Sequence, residues 1–230
     1  MSDVVSLVDR VSLFEQSFNA QRMAGRLSSE QQDKFWNDYA ALTIETAVYP
    51  GRSEVLGRTY VSLKLLGETG EVFEHIGKAL RDDAGVITDE RKEKLIKELG
   101  DVLWYCAAGA NELKIAFEVC VAEWEIDEAI NLDYLFNAAH ELHKGATAFL
   151  DEVAYERRWR EGSCEVGEPD ESTTSGFYEN ASDHFIEVIS GISYIAHACG
   201  ASLFDVAIEN LKKLASRKAR GVLSGSGSDR

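Results

Sequence analysis

The sequence predicts an all-α protein, a bundle of six or seven helices that forms one domain over residues 1–230. Only two prolines occur in the chain, Pro50 and Pro169, so few positions interrupt a helix. Apolar residues recur at helical spacing along most of its length, and patterns typical of strands are scarce. Because amphipathic helices gain most of their stability by packing against each other, a helical bundle follows.

The first predicted helix covers residues 33–49. Phe35, Tyr39 and Leu42 fall near helical spacing there, and Pro50 ends the pattern. The second predicted helix covers 60–80.

Turn-forming residues follow over 81–90, and a third, long helix is predicted over 90–120. We expect that helix to bend or break around 111–114.

A fourth helix is predicted over 132–157. The segment 158–182 is rich in Gly, Ser, Thr and acidic residues, which is typical of a surface loop. Helices over 182–199 and 202–219 complete the chain, with Ser202 as the expected N-cap of the last one.

The chain is acidic, with 40 Asp and Glu against 24 Lys and Arg and a formal net charge of −16. This balance argues against nucleic acids and acidic membrane surfaces as partners, because both attract cationic proteins. The first 30 residues interleave charged and apolar positions, and no apolar stretch approaches a membrane span, so we expect a cytoplasmic protein. The four cysteines are widely spaced and are expected to be free.

Two acidic pairs stand out. Glu68 and Glu71 are three residues apart on one predicted helix, and Glu98 and Asp101 are three apart on the next. A step of three residues leaves two side chains about 60° apart on one helical face. Both pairs are embedded in apolar sequence, where carboxylates are costly to bury without cations. Oxygen ligands of this kind indicate Mg²⁺, with Mn²⁺ as a substitute.

The sequences around these pairs, LGETGEVFEHIGKALRDD and IKELGDVLWY, resemble those of the MazG-like superfamily of all-α nucleoside triphosphate pyrophosphohydrolases. The C-terminal sequence contains Asn-x-x-Lys-Leu-x-x-Arg and a Gly/Ser tail that ends in Arg. It is similar to the C-terminal segment of short members of this superfamily. The resemblance covers about 36–120 and 202–230. Residues 121–201 depart from it.

The resemblance implies Mg²⁺-dependent hydrolysis of a nucleoside triphosphate to the monophosphate and pyrophosphate, in a protein that forms a homodimer or homotetramer. A deoxynucleotide such as dGTP, dCTP or dUTP, and a role in shaping or cleaning the nucleotide pool, are expected by the same analogy. Glu68, Glu71, Glu98 and Asp101 take the family's metal positions, with Glu68 or Glu71 also holding the attacking water. The expected substrate contacts are Asn210, Lys213, Arg217, Arg230, Lys78, Arg81, Trp36, Tyr39 and Tyr105.

Simpler interpretations stay open for several of these residues. The cations also suit solvated helix surfaces, and aromatic residues at helical spacing are more often part of a core. The five histidines form no recognisable pair of metal ligands.

The chain also carries a weak internal repeat, in which residues 96–119 resemble 186–206. Its register aligns Glu68 with Glu141, Glu71 with Lys144, Glu98 with Glu187 and Asp101 with Ser190. The chain would then be an internally duplicated, fused-dimer-like four-helix core, with the metal site in 36–120 and a degenerate copy in 121–230. Chance similarity between two Ala-rich helices is the alternative.

Other functional classes fit less well. A di-iron bundle needs Glu-x-x-His, and no Glu in the chain is followed by His at that spacing. The EF-hand and P-loop patterns are also missing from the sequence. A non-catalytic helical interaction module remains the alternative from a different class.

Overall fold

A computed structural model describes residues 5–121, 132–161 and 180–223, and this part of the chain is all-α. In chain order the helices are α1 Leu7–Ala24, α2 Ser29–Ile44, α3 Val55–Asp82, α4 Asp89–Leu113, α5 Leu132–Arg160, α6 Ala181–Ala198 and α7 Leu203–Ala219. A short 3₁₀ helix, Phe117–Cys120, follows α4, and none of the described residues lies in a strand. The predicted fold class is confirmed.

Helix α1 was not predicted, because charged residues surround its sparse apolar stripe. Leu7, Val11 and Phe18 form its buried face, and Ser6 caps its first turn by accepting a hydrogen bond from the Asp9 backbone N–H at 3.2 Å. These few apolar contacts suffice to hold α1 in place because α1 also packs along α7. An ion pair between Arg22 of α1 and Asp205 of α7, at 3.1 Å, connects the two helices.

The break predicted near 111–114 is present. Helix α4 ends at Leu113, and Lys114 adopts a left-handed conformation with φ of 58°. The N-cap predicted at Ser202 is also confirmed, since its side chain accepts a hydrogen bond from the Asp205 backbone N–H at 3.2 Å. Most of the predicted 158–182 loop lies outside the described residues.

Four helices form the centre of the fold. Helices α3 and α4 make an antiparallel hairpin, and this hairpin packs against the pair α5 and α6. Helices α5 and α6 approach closely because Gly145 faces α6: a Cβ atom there would lie 2.5 Å from the His184 carbonyl oxygen. Helices α2 and α7 pack on α4, α1 packs on α7 and α2, and together they complete one continuous core.

Cys106, Cys120 and Cys199 are free, in agreement with the prediction, and Cys164 lies outside the described residues. No single described helix has the length and apolar composition of a membrane span. Helices α6 and α7 pass that test only when joined across the 95° bend between them.

A buried ion pair connects α3 to α5. Arg58 donates from Nε and Nη2 to the two carboxylate oxygens of Glu156 at 2.8 and 2.6 Å, and both side chains are almost fully buried. Arg160 adds a third donor to Glu156 at 2.9 Å. The carboxylate is therefore fully neutralised, and these cations hold the pKa of Glu156 below its ordinary value against the opposing effect of burial.

We predict that Glu156→Gln lowers the free energy of unfolding by about 3 kcal/mol, because it leaves the buried Arg58 guanidinium without its anion. Urea unfolding at neutral pH measures the effect. The control is Glu161→Gln, since Glu161 pairs with Arg157 at 3.1 Å on an exposed surface. It should change stability by less than about 0.5 kcal/mol. Equal effects of the two variants would contradict the prediction.

Candidate metal centre

Three of the four predicted acids meet between α3 and α4. Glu68 on α3 and Glu98 and Asp101 on α4 each offer a carboxylate oxygen, and these oxygens lie within 4.8 Å of one another. We call these residues the acidic cluster. Glu68 and Glu98 are buried, and Asp101 is half-buried. The arrangement follows from the three-residue spacing on α4 and from the antiparallel hairpin, which brings the middle of α3 against the first half of α4.

The acidic cluster is short of compensating charge. The pKa of Glu98 is raised to about 7, chiefly by burial, and the charges of Asp101 and Glu71 contribute to this shift. Burial also raises the pKa of Glu68, outweighing the opposite effect of the neighbouring Lys64 ammonium. Carboxylates that are expensive to ionise and lie this close together fit a divalent cation with oxygen ligands, as Mg²⁺ and Mn²⁺ require.

Glu71 lies outside the acidic cluster. Its side chain is exposed, one turn along α3 from Glu68. Burial is the largest cause of the raised pKa values of Glu98 and Glu68, and the charge of Glu71 is a smaller one. Glu71 therefore lies at the open edge of the same site.

Helix α7 brings two predicted substrate residues onto the acidic cluster. Lys213 donates to both carboxylate oxygens of Asp101 at 2.6 Å, and Asn210 donates to one of them at 3.0 Å. This approach needs a residue without a side chain at position 100, because a Cβ atom on Gly100 would lie 2.9 Å from the Cβ of Asn210. Within the described part of the chain, the buried Oδ1 of Asn210 has no hydrogen-bond partner.

Lys64, which was not among the predicted site residues, also contacts the acidic cluster. Its Nζ lies 2.7 Å from Glu68 Oε1, one turn away on α3, and 5.8 Å from the centre of the Tyr105 ring. The Lys-x-x-x-Glu spacing was the available signal, but that spacing is common on helix surfaces. Tyr105, a predicted substrate residue, is half-buried one turn beyond Asp101 on α4.

A histidine lies beside the acidic cluster. Nε2 of His75 is 3.9 Å from Glu98 Oε1. Burial lowers the pKa of His75, and the nearby Lys78 and Lys94 lower it further, so the ring is neutral at pH 7. It therefore provides little charge to balance the carboxylates.

The remaining predicted residues lie elsewhere. Trp36 and Tyr39 are buried in an aromatic core with Phe117 and other rings. Lys78 and Arg81 form ion pairs with the α3 acids Glu74 and Asp82, at 2.5 and 2.6 Å.

Arg217 is half-buried in the last turn of α7. Arg230 lies outside the described residues.

The α5 and α6 pair carries different contacts at the positions that the predicted internal repeat would align with the acidic cluster. There, Lys144 Nζ lies 2.6 Å from Glu187 Oε1 and 3.7 Å from Glu141 Oε2. An ammonium group thus bridges the two acids that correspond to Glu98 and Glu68. The aligned position of Asp101 is Ser190.

Residues 58–125 match the family model of the MazG nucleotide pyrophosphohydrolase domain. Over 80 residues the chain is 44% identical to "Gene 37 protein" of Mycobacterium phage L5, a stretch that covers 34% of this chain and 70% of that protein. No solved structure matches the chain. The family match contains the whole acidic cluster and Lys64, whereas Asn210 and Lys213 lie beyond it.

We predict that the metal-free chain loses stability as pH rises, and that Glu98→Gln weakens this trend. The pKa of Glu98 is about 7 in the folded chain against an ordinary 4.5, so its contribution is complete below about pH 4.5 and is lost as pH rises through 7. The wild-type chain should therefore lose on the order of 2 kcal/mol more than Glu98→Gln between pH 5 and 8.

Melting curves in the presence of a chelator measure this difference. Adding Mg²⁺ should reduce the pH trend of the wild-type chain, because the cation stabilises ionised carboxylates. Parallel pH trends for the wild-type and variant chains would contradict the prediction.

Proposed function

Because this chain belongs to the MazG nucleotide pyrophosphohydrolase family, we propose that it hydrolyses a nucleoside triphosphate to the monophosphate and pyrophosphate in a Mg²⁺-dependent reaction. The observation that carries the proposal is the acidic cluster, whose three oxygens lie within 4.8 Å of one another, beside the ammonium groups of Lys64 and Lys213. Carboxylates beside cations suit a substrate that arrives as a metal-bound polyphosphate.

Glu68, Glu98 and Asp101 would hold the Mg²⁺, with Glu71 available at the open edge. When bound, the ion neutralises charge on the phosphate oxygens and makes a coordinated water more acidic. The hairpin holds the carboxylates in place, since Glu68 and Glu98 are buried on long helices whose faces form part of the core.

Glu71 is the best placed proton acceptor. It is exposed and stands outside the acidic cluster, so its carboxylate is available to a water molecule next to the substrate. The water oxygen attacks one of the two phosphorus atoms that flank the α–β bridging oxygen. The bond from that phosphorus to the bridging oxygen breaks, and Glu71 takes the proton that the water loses.

Lys213 and Asn210 supply the phosphate contacts from α7. A triphosphate carries about four negative charges, and phosphoryl transfer depends chiefly on positioning and charge stabilisation. Lys213 neutralises Asp101 in this structure, and it would be available to phosphate if Asp101 held a cation instead. Arg217, Arg230, Lys78 and Arg81 remain further proposed contacts for the phosphates.

Tyr105 is the aromatic residue best placed for the nucleoside. It is half-buried one turn from Asp101, whereas Trp36 and Tyr39 are almost fully buried and would contact a base only after movement of the core. We propose a deoxynucleoside triphosphate as substrate and a role in shaping or cleaning the nucleotide pool.

We further propose one catalytic centre per chain. In the proposed repeat, Lys144 and Ser190 would take the positions of Glu71 and Asp101, and Lys144 already neutralises Glu187. The α5 and α6 pair would then support the catalytic hairpin without binding metal itself.

Two matched substitutions test this assignment. Glu98→Gln should lower kcat by at least about 100-fold, because it removes a metal ligand whose ion stabilises the transition state. Glu187→Gln changes the corresponding position on α6 and should alter kcat by no more than about twofold. Pyrophosphate release measures both, and circular dichroism checks that the helices are retained. Full activity of Glu98→Gln, or equal losses in both variants, would contradict the proposal.

A panel of nucleotides tests the reaction itself. With Mg²⁺ or Mn²⁺, at least one deoxynucleoside triphosphate should give monophosphate and pyrophosphate in equal amounts, without free diphosphate. Chromatography of the products, over the standard ribonucleotides and deoxynucleotides and over dUTP, measures the outcome. Release of orthophosphate would contradict α–β cleavage. No turnover together with no thermal stabilisation by Mg²⁺ and a non-hydrolysable analogue would favour a non-catalytic helical module.

A further inference from the structure

We infer that Lys64 is an exchangeable counter-ion of the metal centre, which pairs with Glu68 in the metal-free chain and moves to a substrate phosphate when the centre is loaded. This inference rests on the proposed function and adds a residue to the substrate site.

The first support is the position of the ammonium group. Lys64 Nζ lies 2.7 Å from Glu68 Oε1, yet 42% of the Lys64 side chain is exposed against 10% of the Glu68 side chain. The carboxylate is therefore fixed inside the hairpin, while the ammonium reaches it from the solvent side. A long, flexible lysine in that position can change partner without any movement of the helices.

The second support is Tyr105. The Lys64 ammonium stands 5.8 Å from the centre of the Tyr105 ring, which belongs to the opposite helix of the hairpin. This cation–π contact keeps the lysine over the cleft between α3 and α4 rather than along the outer surface of α3. A phosphate group next to the acidic cluster would lie within reach of it.

The third support is the distribution of charge around the acidic cluster. Glu68 pairs with Lys64 and Asp101 pairs with Lys213, so two of the three carboxylates have an ammonium of their own. Burial by itself would lower the pKa of Lys64, but the hydrogen bond and charge of Glu68 outweigh it and the net pKa is raised, so the lysine remains charged.

Opposite effects on two ligands follow from this geometry. A divalent ion that arrives alone must displace or approach the Lys64 ammonium, which repels it, so the lysine weakens binding of the bare ion. A triphosphate that arrives with its ion offers the lysine a new anionic partner, so the lysine strengthens binding of the nucleotide. A lysine that only supported the α3 surface would produce neither effect.

The test compares Lys64→Gln with Lys34→Gln. Lys34 forms the same kind of pair on α2, with Asp38 four residues later at 2.7 Å, and its side chain is 70% exposed. Titration calorimetry with Mn²⁺ alone measures metal affinity, and initial rates with the best nucleotide of the panel give KM and kcat.

We expect Lys64→Gln to bind Mn²⁺ alone about fivefold more tightly than the wild-type chain. Its KM for the nucleotide should rise about tenfold, a loss typical of one charge-assisted phosphate contact. Lys64→Arg should restore most of the nucleotide affinity, because it keeps the positive charge. Lys34→Gln should match the wild-type chain in both measurements, and melting curves confirm that every variant is folded.

Three results would overturn the inference. Lys64→Gln could behave like Lys34→Gln in both measurements, or it could bind Mn²⁺ more weakly, which would make Lys64 a structural support for Glu68. A wild-type chain that binds no Mn²⁺ would refute the metal centre and the role of Lys64 together. A chain that binds Mn²⁺ without releasing pyrophosphate would contradict the proposed reaction, and the Mn²⁺ comparison alone would then decide for or against Lys64 as a counter-ion.

Discussion

Three carboxylates repel one another between α3 and α4, where two of them are buried. The rest of the site depends on this repulsion. Desolvated acids of like charge are unfavourable unless cations approach them. The elements around the hairpin meet this requirement incompletely. Lysines from α3 and α7 pair with Glu68 and Asp101, and the buried Glu98 is left with a neutral histidine as its nearest basic neighbour. The shortage of positive charge is a structural property of the folded chain, and an added cation would relieve it.

Two buried carboxylates, Glu156 and Glu98, differ in how their charge is compensated. Glu156 accepts three hydrogen bonds from arginines, and its pKa is lowered accordingly. Glu98 has no comparable donor among the described residues, and its pKa is raised to about 7. The first carboxylate stabilises the packing of α3 on α5. The second lies between α3 and α4 with its ionised form disfavoured by burial, and raised pKa values of this kind are common at functional sites.

The chain as a whole is acidic, so the few lysines beside the acidic cluster have a large effect on its local charge. A protein of net charge −16 repels polyphosphates on average, so recognition of one depends on cations concentrated at the site. Helix α7 brings Lys213 to the acidic cluster from a distant part of the sequence. It reaches the hairpin through Gly100, where the absence of a side chain lets Asn210 approach α4. Between α5 and α6, Lys144 instead bonds to Glu187, so this carboxylate is neutralised by an ion pair within the chain.

The sequence by itself determined the features that depend on local spacing. Helical periodicity and the scarcity of proline gave the all-α class, turn chemistry gave the break after Leu113 and the cap at Ser202, and the three-residue steps predicted that Glu98 and Asp101 share a face. The tertiary structure decided what depends on contacts between distant residues. It separated Glu71 from the acidic cluster, buried Trp36 and Tyr39 in the core, and stabilised α1 against α7. It also placed Lys213 of α7 on Asp101 of α4, because helix packing, and not spacing along one helix, sets which charges on different helices meet.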